Sequence, residues 1–298
     1  MRASQNVFRI RRQYNKWVAN ETLEDYSLRF TARGHRRWSI DRVAKTALGS
    51  TSFLALEAIA ATLTLSFGFE NTFWAIMALA LVIMITGLPI CYQAAKHGLD
   101  IDLLTRSAGF GYLGSTITSL IYASFTFIFF AIEAAILASA LKLLFGIPLW
   151  VGYILCAVAV IPIVTHGIAA ISRFQVSTQW VWLSLQIAAI SVACFYEYQE
   201  FHNWIAYRPD TLIEKNSIGF DLALFGAASA VMFALIAQIG EQVDYLRFLP
   251  EKNSENSRTW WFWMLLSGPG WIVVGIIKML FGSFLAYLAI SRLSLIHI

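Results

Sequence analysis

Ser229-Ala-Val-Met-Phe-Ala-Leu-Ile-Ala-Gln-Ile-Gly-Glu-Gln-Val-Asp-Tyr-Leu-Arg247 decides how this chain is read. An apolar run passes directly into Gln238, Gly240, Glu241, Gln242 and Asp244. A charged side chain at the centre of a bilayer costs about 3 kcal/mol on insertion scales, so such residues face a cavity, a partner or a solvated helix end. Gly240 also weakens the helix locally, and an opened helix exposes carbonyls and amides that can bind something. The stretch therefore reads as one wall of a small-molecule site in a membrane protein.

The rest of the chain supports a bilayer location. Hydrophobic residues make up 58% and charged residues 13%, where soluble domains carry roughly 25% charged residues. Seven apolar segments, at about 46–68, 72–93, 111–143, 147–170, 175–197, 217–246 and 259–290, each approach or exceed the roughly 20 residues that a helical span requires. An all-α membrane protein of about seven transmembrane helices is predicted, with a polar arm over 1–45 and a transmembrane domain over 46–290. A net charge of +4 does not argue for nucleic acid, because half of the 22 Lys and Arg residues precede residue 46. Basic residues beside a first span set its orientation. With the arm inside, Lys96, Arg106, Arg173, Arg247, Lys252 and Arg258 fall inside as well, so a cytoplasmic amino terminus at the cell inner membrane is expected. Trp17 and Trp38 are expected to anchor at the interface, and the outer loop at about 198–216 is acidic, with Glu200, Asp210 and Glu214. Cys91, Cys156 and Cys194 have spacings that suit neither a metal site nor a disulfide framework, which leaves them as packing residues.

Ionisable groups inside four spans are the informative ones. Glu57 interrupts the first, among small residues that permit close helix approach. In the third, Phe125, Phe129 and Glu133 are spaced i, i+4, i+8, so two rings and a carboxylate share one face. The sixth supplies Gln238, Gly240, Glu241 and Gln242, and the seventh Lys278. Together these predict a substrate site, with Glu57 and Glu133 as candidate proton carriers. The competing reading makes each acid a protonated or Lys-paired structural carboxylate, with Lys278 as the candidate partner. Asp244 and Arg247, at i and i+3, are expected to form an interfacial ion pair, and His166 to end a helix. No nucleophile and base constellation or cofactor motif occurs, so the chain is not read as an enzyme.

The segment Tyr92-Gln-Ala-Ala-Lys96-His-Gly98-Leu-Asp-Ile-Asp-Leu-Leu104-Thr-Arg106, followed by Gly109-Phe-Gly111, resembles the loop between helices two and three of the purine-cytosine permease (nucleobase:cation symporter) family. Asp244-Tyr-Leu-Arg247-Phe248 is similar to the end of that family's helix six, and His166-Gly-Ile-Ala-Ala170 more loosely to the end of its helix four. The resemblance implies a bundle of two inverted five-helix repeats, LeuT-like, with helices one and six unwound midway. The interrupted spans fall at those positions. It further implies that Phe129 stands where the family stacks a base on Trp, and Glu133 where the family places Gln. Glu57 and Gln238 to Gln242 then contribute contacts from helices one and six, and Na+ or H+ is the implied coupling ion. Five plus two helices make a truncated version of that plan, so residues 291–298 are expected to be a non-native or truncated tail of a fragment.

A second likeness carries a different role. The stretches Trp17 to Arg29 and Gly114 to Phe125 are similar to bacterial membrane sensor kinases, in which a permease-like input domain precedes a histidine kinase. The expected partners are accordingly a small heterocyclic substrate and the lipid bilayer, with a downstream kinase domain under this alternative.

Overall fold

The computed structural model of the protein describes residue 31 and residues 36–209 and 219–296. Among these the chain is helical, without strands. Six helical stretches are long and apolar enough to cross a membrane: Ile40–Phe67, Phe69–His97, Ile101–Phe145, Gly167–Tyr196, Leu222–Leu246 and Ser257–Arg292. A seventh apolar helix, Leu149–Thr165, has 17 residues. Of the seven spans expected, six reach that length; the shorter helix Leu149–Thr165 is counted as the fourth, so that the segments are spans one to seven in chain order.

The fourth span is shorter than predicted because the chain turns sharply at His166-Gly167. Gly167 has φ of +72°, a left-handed conformation that glycine adopts without penalty. His166 Nδ1 lies 2.6 Å from the Pro162 carbonyl, and Pro162 itself has no N–H to give to the ladder. The helix expected to end near residue 170 therefore stops at Thr165, and the next one, α7 (Gly167–Tyr196), starts there.

Span one begins earlier than predicted and is broken. Its first half is α1 (Ile40–Gly49), capped by Ser39, whose side chain accepts from Arg42 N at 3.2 Å. Residues 40–45, expected in the polar arm, are helical. A 3-10 turn, Ser50–Ser52, follows, Phe53 is extended, and α2 runs over Ala55–Phe67. The cause is local. Ser50 Oγ donates to Ala47 O at 2.8 Å and Thr51 Oγ1 to Leu48 O at 2.7 Å. These hydroxyls satisfy the last carbonyls of α1 and compete with helix continuation.

Span two, α3 (Phe69–His97), ends at Gly98 in the left-handed conformation. A short α4 (Ile101–Thr105), capped by Asp100, and a π-type turn lead into α5 (Gly111–Phe145). At 1.5 Å per residue α5 is about 52 Å long, well over the roughly 30 Å of a hydrocarbon core. The fourth span is α6 (Leu149–Thr165) and the fifth is α7. A short α8 covers Phe201–Ile205. Span six consists of α9 (Leu222–Met232), a 3-10 stretch at Phe233–Ala237 and α10 (Gln238–Leu246). Its irregular part precedes Gly240, which itself lies in regular helix, so the predicted loosening at Gly240 is displaced by one to two turns. Span seven splits at Gly268-Pro269-Gly270 into α11 (Ser257–Ser267) and α12 (Trp271–Ile296), because Pro269 has no N–H for the ladder.

The core lies between α2, α3, span six and α12. Leu56, Leu63, Ile76, Leu79, Ile83, Met232, Leu235, Val243, Trp271 and Met279 are fully or almost fully buried in one cluster. The closest pair is α2 with α12. Gly282 faces the Glu57 backbone so tightly that a Cβ would overlap it. The small residues of span one thus find their partner in span seven. Helices α5, α6 and α7 are largely exposed along their length. Cys91 and Cys156 are buried and Cys194 half-buried, all as free thiols. Trp38, predicted as an interfacial anchor, stacks on Phe248 at 4.9 Å. Trp17, Asp210, Glu214 and the stretch from Trp17 to Arg29 lie outside the described residues.

Candidate functional site

The break in span one is the centre of the polar interior. It leaves α2 starting at Ala55 after Leu54, a residue with no side-chain acceptor, so the first amides of α2 need a partner from elsewhere. Glu133 of α5 supplies it: its Oε1 accepts from Ala55 N at 2.5 Å. A carboxylate at a helix N-terminus is further stabilised by the helix dipole. Two residues into α2, Glu57 Oε1 lies 2.9 Å from Lys278 Nζ of α12, and Lys278 is 1% exposed. Gln186 of α7 donates to the same Glu57 oxygen at 3.2 Å. Glu57 Oε2 is buried and has no hydrogen-bond partner among the described residues. Glu133 is within electrostatic reach of both Lys278 and Glu57. Of the two acids, Lys278 therefore pairs with Glu57, while Glu133 caps the broken helix.

The aromatic residues sit beside this break. Phe125 and Phe129 are 4.3 Å apart between ring centroids, and Phe129 meets Phe53 edge-on at 5.5 Å. Phe53 is the extended residue of span one, so Phe129 is held between the break and its own helix neighbour. One turn further along α5 lies Glu133.

Span six contributes a separate cluster. Gln238 Nε2 donates to Glu241 Oε2 at 2.6 Å, and Tyr245 OH donates to Glu241 Oε1 at 2.9 Å. Gln175 Nε2 of α7 lies 3.4 Å from Tyr245 OH. Among the described residues no hydrogen bond or ion pair joins Glu241 to Glu57 or Glu133, so the single hollow predicted for the three acids is resolved into two clusters. Gln242 is the link between them. Fully buried, it lies with its side-chain amide 3.2 Å from Ala47 O, 2.6 Å from Ser267 O and 3.0 Å from Ser50 Oγ. It ties the end of α1 to α11, and its hydrogen-bonding capacity is used internally. Gly240 is covered by the Tyr122 ring, which a Cβ there would meet at 3.0 Å. Gln242 and Gly240, expected as binding residues, thus each have a partner within the protein.

Two surface cavities, of about 360 and 300 Å³, lie at opposite ends of α3, and none of the predicted residues lines either. Comparison with protein-family models, with curated proteins and with solved structures finds no match.

Asp244 and Arg247 do not stand alone at a helix end. Asp244 Oδ1 accepts from Ile101 N at 3.4 Å, and Arg247 Nε donates to the Asp244 carbonyl at 3.1 Å. The two motifs that carried the permease resemblance, the loop after α3 and the end of span six, are therefore in direct contact.

Gln175, Trp182 and Gln186 escaped the sequence reading. Their spacing of i, i+7, i+11 puts them on one helical face, and that face meets Tyr245 at one end and Glu57 at the other. Two glutamines in register in an apolar span were the available signal. Phe53 and Ser50 carried none, since their importance comes from where the helix breaks.

Proposed function

We propose that this chain is the transport domain of a cation-coupled permease of the purine-cytosine type, working by alternating access on a planar heterocycle. The observation that carries the proposal is the break halfway along span one, its free helix start capped by Glu133 and flanked by Phe129. Both irregular stretches, residues 50–54 and 233–237, fall midway along the first and sixth spans, as two inverted five-helix repeats require.

In this reading the substrate stacks on Phe129 and exchanges its N–H for that of Ala55 at Glu133. Releasing Ala55 frees the start of α2, which couples binding to movement of span one. Glu57 Oε2 offers a further acceptor, and the Glu57–Lys278 pair supplies charges whose balance a coupling H+ or Na+ would alter. The basic residues at the α1 and α3 ends support a cytoplasmic amino terminus at the inner membrane. Uptake of radiolabelled nucleobases by cells expressing the full-length protein is the test. Glu133→Ala and Phe129→Ala should each reduce uptake at least tenfold, about the 1.4 kcal/mol equivalent of one weakened contact. Uptake unchanged in both variants would discard the site.

A second reading, the ligand-sensing input domain of a sensor histidine kinase, is favoured by the internal pairing of the polar groups. Glu133, Glu57 and Gln242 each already have protein partners, as suits a module that binds and signals without turnover. Saturable nucleobase binding without net uptake would select it.

A further inference from the structure

We infer that the hollow between the end of α3 and the start of α11 binds the phosphate of an anionic lipid. The cavity, about 360 Å³, is lined by Tyr92, Lys96 and His97 from α3 and by Glu251, Lys252 and Trp260 from the connector and α11. Its volume is within the usual range for small-ligand sites.

Its two ammonium groups have no carboxylate partner among the described residues. Lys96 lies in the last turn of α3, where a cation would ordinarily satisfy the final carbonyls. Arg36 already does this, donating to Ala95 O at 3.3 Å and Lys96 O at 3.2 Å. The Lys96 ammonium is therefore released to the cavity, 5.6 Å over the Tyr92 ring. Lys252 stands 5.9 Å over Trp260 and 5.2 Å over Trp261. Neither lysine forms an ion pair among the described residues. With one carboxylate, Glu251, against two ammonium groups, the lining is net positive.

The site is also held in place. Asn253 and Asn256 exchange side-chain to backbone hydrogen bonds at 2.8 and 2.7 Å, and Asn256 Nδ2 donates to Glu251 O at 2.9 Å. Trp260, almost fully buried, donates from Nε1 to Pro250 O at 2.9 Å. Tyr92 and Trp261 stack with an interplanar angle of 3°. The connector that carries Lys252 is thus a fixed turn over an aromatic floor.

The level in the membrane selects the ligand. Tyr and Trp rings collect where lipid head groups lie, and α11 carries Trp260, Trp261 and Trp263 in succession with Phe262 and Leu265 exposed. A cationic hollow over indole rings, next to exposed apolar side chains, fits a phosphodiester whose acyl chains remain outside. Basic pockets of this kind between transmembrane helices bind lipid head groups.

Native mass spectrometry of the full-length protein exchanged into micelles doped with phosphatidylglycerol or phosphatidylcholine tests the assignment. The wild type should retain phosphatidylglycerol in preference. At about fivefold per lysine near a charged surface, Lys96→Gln with Lys252→Gln should lower that preference about 25-fold. Glu251→Gln should raise it severalfold, a gain that misfolding cannot imitate, and Arg258→Gln, outside the lining, should leave it unchanged. Absence of a preference in the wild type, or equal loss in Arg258→Gln, overturns the proposal. Full displacement by millimolar inorganic phosphate would assign the site to a soluble phosphate and overturn the lipid.

Discussion

Removing the Lys278 ammonium should unbalance the whole interior more than removing either acid. At 2.9 Å, and with an effective dielectric of about 20, a pair of unit charges attract by about 6 kcal/mol before desolvation is subtracted. Net of that cost, breaking a buried pair from one side typically destabilises by about 3–5 kcal/mol, because the abandoned charge stays buried. The two sides are not equivalent here. Lys278→Met leaves Glu57 without its counter-charge and Glu133 close to it, which places the cost near 5 kcal/mol. Glu57→Gln leaves Lys278 with the nearby field of Glu133, so a cost of about 2–3 kcal/mol is expected. In the double variant no orphaned charge remains opposite Glu57, and the loss should fall at least about 2 kcal/mol short of the sum. Reversible unfolding in mixed micelles, followed by tryptophan fluorescence, gives the four free energies of the cycle. Additivity within about 0.5 kcal/mol, or Glu57→Gln costing more than Lys278→Met, would refute this account.

Other expectations follow from single contacts. Gly282→Ala puts a methyl group into the Glu57 backbone and should cost about 3 kcal/mol by the same assay, as overpacking does when the neighbour is backbone. Gln242→Ala strips the amide from Ala47 O, Ser267 O and Ser50 Oγ and should cost about 2–4 kcal/mol, since it leaves buried partners unmet; a loss under about 0.5 kcal/mol would show that they are satisfied otherwise. In the segment after α7, hydrogen bonds from Asn203 and Tyr287 hold the Glu200 carboxyl below its usual range. A depressed folded-state value makes this contribution complete above the unfolded value and lost as pH falls through the folded one. The stability difference between wild type and Glu200→Gln should therefore be constant at neutral pH and vanish under acid; a difference that persists below pH about 3 contradicts the assignment.

Much of the architecture was legible in the chain. Apolar segments of about 20 residues must be helices in lipid, because their backbone groups have no other partners there. Glu57, Glu133 and Lys278 announced themselves by the cost of placing them at bilayer depth. Local chemistry also moved some boundaries: Gly167 and Pro162 shortened the fourth helix, and Ser39 started the first one early. Those signals were present, but a hydropathy pattern averages over them.

Pairing could not be read this way. Lys278 was an equal candidate for either acid, and only the closeness of α2 to α12, permitted by Gly282, brings it to Glu57. Glu133 became a helix cap because hydroxyls at Ser50 and Thr51 finish α1 and the chain starts a new helix at Ala55. By itself the sequence determined which segments enter the membrane and which side chains are costly there, since transfer energies belong to single residues. Tertiary structure alone decided which costs cancel, since Coulomb and hydrogen-bond energies depend on distances between helices far apart in the chain.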